Sequence, residues 1–311
     1  MRIGSFLVIH QAVRAALRKG RPVVALESAV LTHGLPWPEN LELARDLEAA
    51  VRAEGAEPAT IALLYGRAHV GLDDSDLERL AQAVRPGSGA KEVWKISRRD
   101  LPVAIAQERH GGTTVAGTVL IAAAAGIRVM ATGGIGGVHR GAPFDVSADL
   151  PELARQPVLV VCSGAKAILD LPATLEWLET WGVPVVGYRT DEFPAFYSRE
   201  SGLRLEARAD SPEAAAAIAR GARDAGLIGG MLLCVPCPEE AARPAAEMEE
   251  AIGRAVREAE AQGVRGKAVT PFLLARVAEL TEGRSRSANL ALLRHNARVA
   301  AQVAAAIQRE A

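Results

Sequence analysis

Short runs rich in Val, Ile and Leu recur at residues 23–26, 60–64, 128–132, 158–162, 183–188 and 231–235, each bounded by Gly, Pro or polar turn residues. Continuous apolar runs of this length predict strands buried on both faces. The segments between them have helical periodicity. Two show legible starts, because Ser211-Pro212-Glu213 and Thr270-Pro271 each offer an N-cap followed by proline at the first helical position. Residues 115–127, rich in alanine and glycine, fall short of the roughly 20 residues of a membrane span and predict a buried helix. From Glu239 onward the pattern is of long amphipathic helices, suited to packing on a sheet or on a neighbouring subunit. This alternation predicts an α/β fold whose mostly parallel sheet is covered on both sides, with ligands where strand C-termini meet loops.

No repeat and no long linker divides the 311 residues, so one domain spanning 1–311 is the simplest organisation. Residues 85–90, Arg-Pro-Gly-Ser-Gly-Ala, predict a surface loop, since glycine and proline there defeat both regular structures. Lys plus Arg is 36 against 37 for Asp plus Glu, a net charge of -1. That balance gives no overall attraction to nucleic acid or to a membrane surface, so an anionic small-molecule partner must be held by a local site. Three cysteines argue against a disulfide framework and for a reducing, cytoplasmic setting. The apolar stretch near Met1 is too short for a signal peptide.

Several motifs could carry chemistry. The run 158–162 leads through Ser163-Gly164-Ala165 to Lys166, placing an amine where a site would be. A free lysine is unprotonated only about once in 2,500 at pH 7, so a nucleophilic one needs burial or a nearby cation. An exposed lysine at a helix start fits the same pattern. Glu27 ends the run 23–26; held against apolar neighbours it could keep a proton and act as a general acid, or it could cap a helix. Gly133-Gly134-Ile135-Gly136-Gly137 could form a backbone nest for an anion, with His139 and Arg140 adding charge, or be a tight turn packed for steric reasons. The spacing matches neither a dinucleotide fingerprint nor a P-loop.

Gly111-Gly112-Thr113-Thr114 reads as a helix opening and a second phosphate seat, or as a plain N-cap. Lys95 stands near Arg98 and Arg99, either as ligand cations or as solvated surface. Asp145 and Asp149, with Ser147 between them, suit a hard divalent cation keeping several waters, or turn chemistry. Cys234-Val235-Pro236-Cys237 has no second cysteine pair and no companion histidine spacing, which argues against zinc.

Taken together, Ala25-Leu26-Glu27-Ser28, Lys95-Ile96-Ser97-Arg98-Arg99-Asp100-Leu101, Gly112-Thr113-Thr114-Val115-Ala116 and the blocks at 131–141, 144–150, 163–170 and 270–280 closely resemble the pseudouridine-5'-phosphate glycosidase family. The resemblance spans nearly the whole chain. It implies a three-layer α/β/α fold with a mixed, mostly parallel central sheet, assembled as a homotrimer. It implies reversible cleavage of pseudouridine 5'-phosphate to uracil and ribose 5-phosphate through a lysine–sugar imine. Carried over by motif, Lys166 is the nucleophile, Glu27 the proton donor and Asp145 the Mn²⁺ ligand. Lys95, Val115, Ser147, Ala148 and Asp149 are the substrate contacts, with His139 and Asn289 as further phosphate-side groups. The segment 85–93 is longer than is usual in the family, the loop 140–144 is shorter, and Ala29 stands where threonine is common.

Other readings of the same residues are a lysine-dependent sugar-phosphate aldolase, a ribokinase-like sugar kinase and a non-catalytic sugar-phosphate binding protein. The aldolase would cleave within the sugar. The kinase would need ATP, and the binding protein would keep its ligand without Lys166.

Overall fold

The structure is a computed structural model and describes residues 6–83, 85 and 93–309. Most of the predicted 85–90 loop, and of the longer 85–93 segment, lies outside the described residues. The strands are β1 (Leu7–Ile9), β2 (Val23–Glu27), β3 (Glu57–Leu64), β4 (Arg67–Val70), β5 (Trp94–Ile96), β6 (Gly111–Thr113), β7 (Val129–Ala131), β8 (Val138–His139), β9 (Ala142–Val146), β10 (Leu159–Cys162), β11 (Leu169–Asp170), β12 (Val185–Tyr188), β13 (Ala207–Ala209) and β14 (Met231–Cys234). The helices are α1 (Gln11–Arg18), α2 (Ala29–His33), α3 (Glu39–Ala53), α4 (Asp74–Gln82), α5 (Leu101–Ala106), α6 (Val115–Ala124), α7 (Asp149–Arg155), α8 (Leu171–Thr180), α9 (Pro212–Asp224), α10 (Ala245–Ala261), α11 (Val269–Leu280) and α12 (Arg284–Arg309).

The main sheet runs β1-β4-β3-β2-β7-β10-β14-β12-β13, with β6 and β5 branching from β3. All six predicted apolar runs are strands of it. From β3 through β2, β7, β10, β14 and β12 to β13 every pairing is parallel, while β4 and β6 meet β3 antiparallel. The sheet is therefore mixed and mostly parallel. Ala25, Met130, Val160 and Leu232 stand in one register row across β2, β7, β10 and β14. All four are fully buried, as a sheet covered on both faces requires. Helix α12 packs with α3 and α9 and lies against β7, β10 and β2, whereas α6 packs with α7 and lies against β2 and β3. A second, small sheet of order β11-β8-β9 is antiparallel.

The sheet opens where the site forms. Strand β2 pairs with β3 only as far as Glu27 opposite Ile61, after which β6 takes over that edge at Ala62 and Leu63. Ser28 bridges the change: its hydroxyl donates to the Ile61 carbonyl at 2.5 Å and accepts the Thr113 N–H at 2.9 Å. A Cβ on Gly112 would lie 2.1 Å from the Thr32 hydroxyl, so the crossing of α2 over β6 requires glycine there.

Two predicted helix starts are corrected. Gly111-Gly112 belong to strand β6, and Thr114 alone is the N-cap of α6, accepting from Gly117 N–H. Helix α11 starts at Val269, capped by Ala268 rather than Thr270. Pro271 sits in its first turn, where backbone N–H groups have no intrahelical partner to lose. The start at Ser211 is as predicted, with its hydroxyl accepting from Ala214 N–H. Among the described residues no helix is long and apolar enough to cross a membrane.

Candidate active site

Three adjacent parallel strands end together. Glu27 is the last residue of β2, Thr132 follows β7, and the chain leaving β10 reaches Lys166 four residues later. Thr132 donates its hydroxyl hydrogen to the Glu27 carboxylate, and its N–H bonds the Val161 carbonyl at 3.0 Å. Past the strand ends the two loops stay paired: Ser163 N–H to Gly133 O at 2.8 Å, Ile135 N–H to Gly164 O at 3.0 Å and Lys166 N–H to Ile135 O at 3.0 Å. The Lys166 ammonium then turns back to donate to the Gly134 carbonyl at 2.5 Å. Lys166 is thus half-buried in a turn ahead of β11, not an exposed residue opening a helix.

The carboxyl group of Glu27 is pushed up from the usual carboxylate range by burial. Lys166, the Thr132 hydrogen bond and Lys95 pull the other way, and Asp149 adds to the rise. Desolvation wins, so the group holds its proton to higher pH, which is what a general acid needs. Lys95 on β5 faces the same cleft.

All ten sequence-predicted residues line one cleft of about 1460 Å³: Glu27, Lys95, Val115, His139, Asp145, Ser147, Ala148, Asp149, Lys166 and Asn289. Their arrangement changes several expectations. Asp149 is buried, and its two oxygens accept Ala116 N–H at 2.8 Å and Gly136 N–H at 2.7 Å. The glycine loop and the start of α6 therefore take their anion from the protein itself, leaving Val115 at the first helical position to face the cleft. Ser147 accepts Asp149 N–H at 3.2 Å, which shapes the turn between β9 and α7.

Arg140 does not join the anion site. Its guanidinium donates to the Ala167 and Leu169 carbonyls at 2.8 and 3.1 Å and pairs with Glu249 on α10. Asn289 lies against Gly133, at the Lys166 end of the cleft: a Cβ on Gly133 would sit 3.4 Å from its amide oxygen.

Sequence reasoning missed Thr132 and Asn296. Thr132 reads as an ordinary strand end, and only the neighbouring of β2 and β7 gives its hydroxyl an object. Asn296 of α12 is fully buried and donates to Thr132 O at 2.8 Å and Gly133 O at 3.3 Å. No local signal marks it: Asn296 stands between His295 and Ala297 in a helix that also carries Asn289, and only its burial, where an amide must find partners, shows its role.

Asp145, on β9, is exposed at the rim. Among the described residues no group of three or more His, Cys, Asp or Glu could enclose a metal, and both oxygens of Asp149 are committed to backbone. One rim carboxylate fits a hard divalent cation that keeps most of its water, and does not fit a closed cage. The cysteines stand apart. Cys162, Cys234 and Cys237 are buried free thiols, with burial pushing Cys234 up and Cys237 up to about 11, the inert condition of structural cysteines.

The description "Indigoidine synthase A like protein" matches residues 12–306. The chain belongs to that family. Among its relatives, the pseudouridine-5'-phosphate glycosidase of Solibacter usitatus is 57% identical over 304 residues, covering 97% of this chain and 99% of that protein. The enzyme of the same name from Chloroflexus aurantiacus is 59% identical over 306 residues, covering 97% and 98%. The fold recurs in the prealnumycin C-glycosynthase AlnA, solved in complex with ribulose 5-phosphate, at a TM-score of 0.89 and 40% identity over 98% of both chains. It recurs too in an indigoidine synthase A-like protein of Thermotoga maritima, at a TM-score of 0.88 and 36% identity, covering 98% and 97%. The resemblance drawn from the sequence blocks and the three-layer fold it implied both hold for this family member.

Proposed function

We propose that this chain cleaves the C–C glycosidic bond of pseudouridine 5'-phosphate reversibly, giving uracil and ribose 5-phosphate, by way of an imine on Lys166. The observation that carries this reading is the convergence of the Lys166 amine and the proton-holding Glu27 carboxyl past the ends of β10 and β2, the two strands that flank β7. The names of its relatives support the substrate, and the sugar phosphate in AlnA supports the class of ligand.

An amine suits a carbon leaving group. A two-carboxylate glycosidase protonates a heteroatom, and here none links base and sugar. In the proposed course the unprotonated Lys166 bonds to C1' while the ring oxygen O4' leaves and takes a proton from Glu27. The lysine nitrogen, left positively charged by the attack, returns a proton to the Glu27 carboxylate; Glu27 then delivers it to C5 of the base, and the C1'–C5 electron pair stays with uracil as the nitrogen lone pair forms C1'=N. Water adds to the imine, ribose 5-phosphate departs, and the lysine is restored.

The rim would hold the phosphate end through Lys95, Ser147 and His139. A divalent cation such as Mn²⁺, held by Asp145 with water, would supply charge neutralisation for the phosphate. Trimeric assembly belongs to the same reading.

The test mixes the protein with pseudouridine 5'-phosphate and Mn²⁺, follows uracil release and reduces the mixture with borohydride. Uracil release with a ribose phosphate adduct on Lys166 is expected. Absence of uracil, or an adduct on a different lysine, would overturn the reaction or the residue choice respectively.

A further inference from the structure

The tight turn between Ala195 and Ser198 is built against local preference. Its ends pair by Ala195 N–H to Ser198 O at 3.0 Å and Ser198 N–H to Ala195 O at 3.3 Å, and Phe196 occupies its first corner with φ +61°. Such a corner favours glycine, because a Cβ crowds the backbone in the left-handed region. A bulky aromatic persists there only when its surroundings over-determine it, and such outliers cluster at functional sites.

The surroundings are the two catalytic loops. Phe196 N–H bonds the Ser163 carbonyl at 3.1 Å, which ties the turn to the chain just before Lys166. Its ring, 2% exposed, lies against Gly134 so closely that a Cβ on that glycine would stand 2.6 Å from it. On the other loop a Cβ on Gly164 would fall 2.2 Å from the Pro194 carbonyl. Residues 193–197 thus brace both loops at the glycines that allow the approach. The ring also meets Tyr197 edge-on, with centroids 4.7 Å apart, so the wedge is itself supported. The glycine it lies against, Gly134, is the one whose carbonyl receives the Lys166 ammonium.

We infer that Phe196 is a positioning residue for Lys166, its ring fixing the Gly134 carbonyl that aims the amine into the cleft. This rests on the reading of Lys166 as the reacting amine. The backbone strain at Phe196 is retained because the ring is needed at that point, where glycine would make the easier turn.

The experiment compares Phe196→Gly, Phe196→Leu, Gly134→Ala and the double variant Phe196→Gly/Gly134→Ala in uracil release from pseudouridine 5'-phosphate, with circular dichroism to confirm folding. Misplacement of a reacting group by about 1 Å can cost about 100-fold in rate, so Phe196→Gly is expected to lose kcat on that scale with KM little changed. Phe196→Leu, which refills the space, restores most of the loss. Gly134→Ala also loses kcat, and the double variant loses less than the product of the two singles, since the new methyl group enters the vacated space. Borohydride-trapped sugar on Lys166 falls in step with kcat.

Phe196→Gly with unchanged kcat, a rise in KM alone, or strictly multiplicative losses in the double variant would overturn the inference. Wild-type protein that releases no uracil would overturn the functional reading and this inference with it; an active wild type beside unaffected variants overturns this inference alone.

Discussion

The floor of the cleft and its rim are built from different materials. At the floor, Glu27, Thr132 and Lys166 stand at the ends of β2, β7 and β10, where each polar group has a protein partner and burial raises the Glu27 carboxyl. At the rim, Asp145 on β9 is exposed, and its neighbour Phe144 is 99% exposed. In the proposed function, Glu27 must keep its proton and gains by leaving water, whereas Asp145 would meet a hydrated cation and gains by staying in it. The floor is therefore half-buried and tied down by hydrogen bonds, and the rim is open.

The sharpest way to break this comparison is Lys166→Ala, which removes the amine at the floor. Loss of the nucleophile in a concerted site costs on the order of 10⁴-fold or more, so uracil release should fall by at least that factor, and a lesser drop would show that the floor does not carry the bond-breaking. Glu27→Gln comes next, with an expected loss in kcat of about 10²- to 10⁴-fold, the usual range for a general acid.

The pH profile sharpens the same point. In the proposed reaction Glu27 acts protonated, so activity should fall as pH rises through its raised value. The sign for stability is related: the folded state holds this proton above the pH at which the unfolded chain releases it, so stability declines with rising pH across that window. Glu27→Gln removes the penalty, and its Tm at neutral pH should exceed that of the wild type by a few degrees. An unchanged or lower Tm would argue that burial of Glu27 is not costly.

Thr132→Val is a smaller perturbation. The lost hydrogen bond had favoured the carboxylate, so the alkaline limb of the rate profile should move to higher pH, with kcat down about 10-fold as the orientation of Glu27 loosens. A limb moving to lower pH would contradict the arrangement. Asp145→Ala, at the rim, should have the least effect on chemistry: KM rises about 10-fold, the effect of one lost charge-assisted contact, with the Mn²⁺ dependence of the rate flattened and kcat largely kept. A collapse in kcat instead would move the cation from the rim to the reacting centre.

Much of the site could be read in advance because its signals are local. An apolar run ending in Glu27, and another ending in Ser163-Gly164-Ala165-Lys166, place both groups at strand ends whatever the neighbours are. Thr132, by contrast, has no local signature, since its role depends on β2 and β7 being adjacent although about a hundred residues of sequence separate them. Arg140 misled for the same reason: a cation beside a glycine loop suggests an anion site, but the fold brings Glu249 from α10 to meet it. Asp149 has a chemistry legible as metal or turn, and only the approach of α6 and the glycine loop shows that it holds Ala116 and Gly136.

By itself the sequence determined the six buried strands, the parallel character of the sheet and the placing of Glu27 and Lys166 where strands end, because periodicity, proline and glycine act over a few residues. Which strands lie side by side, and hence that Thr132 holds Glu27, that Gly134 receives Lys166 and that Phe196 wedges against Gly134, was decided only in the tertiary structure. Those contacts join segments far apart in the chain, and their geometry follows from how the whole sheet and its covering helices bury their apolar faces.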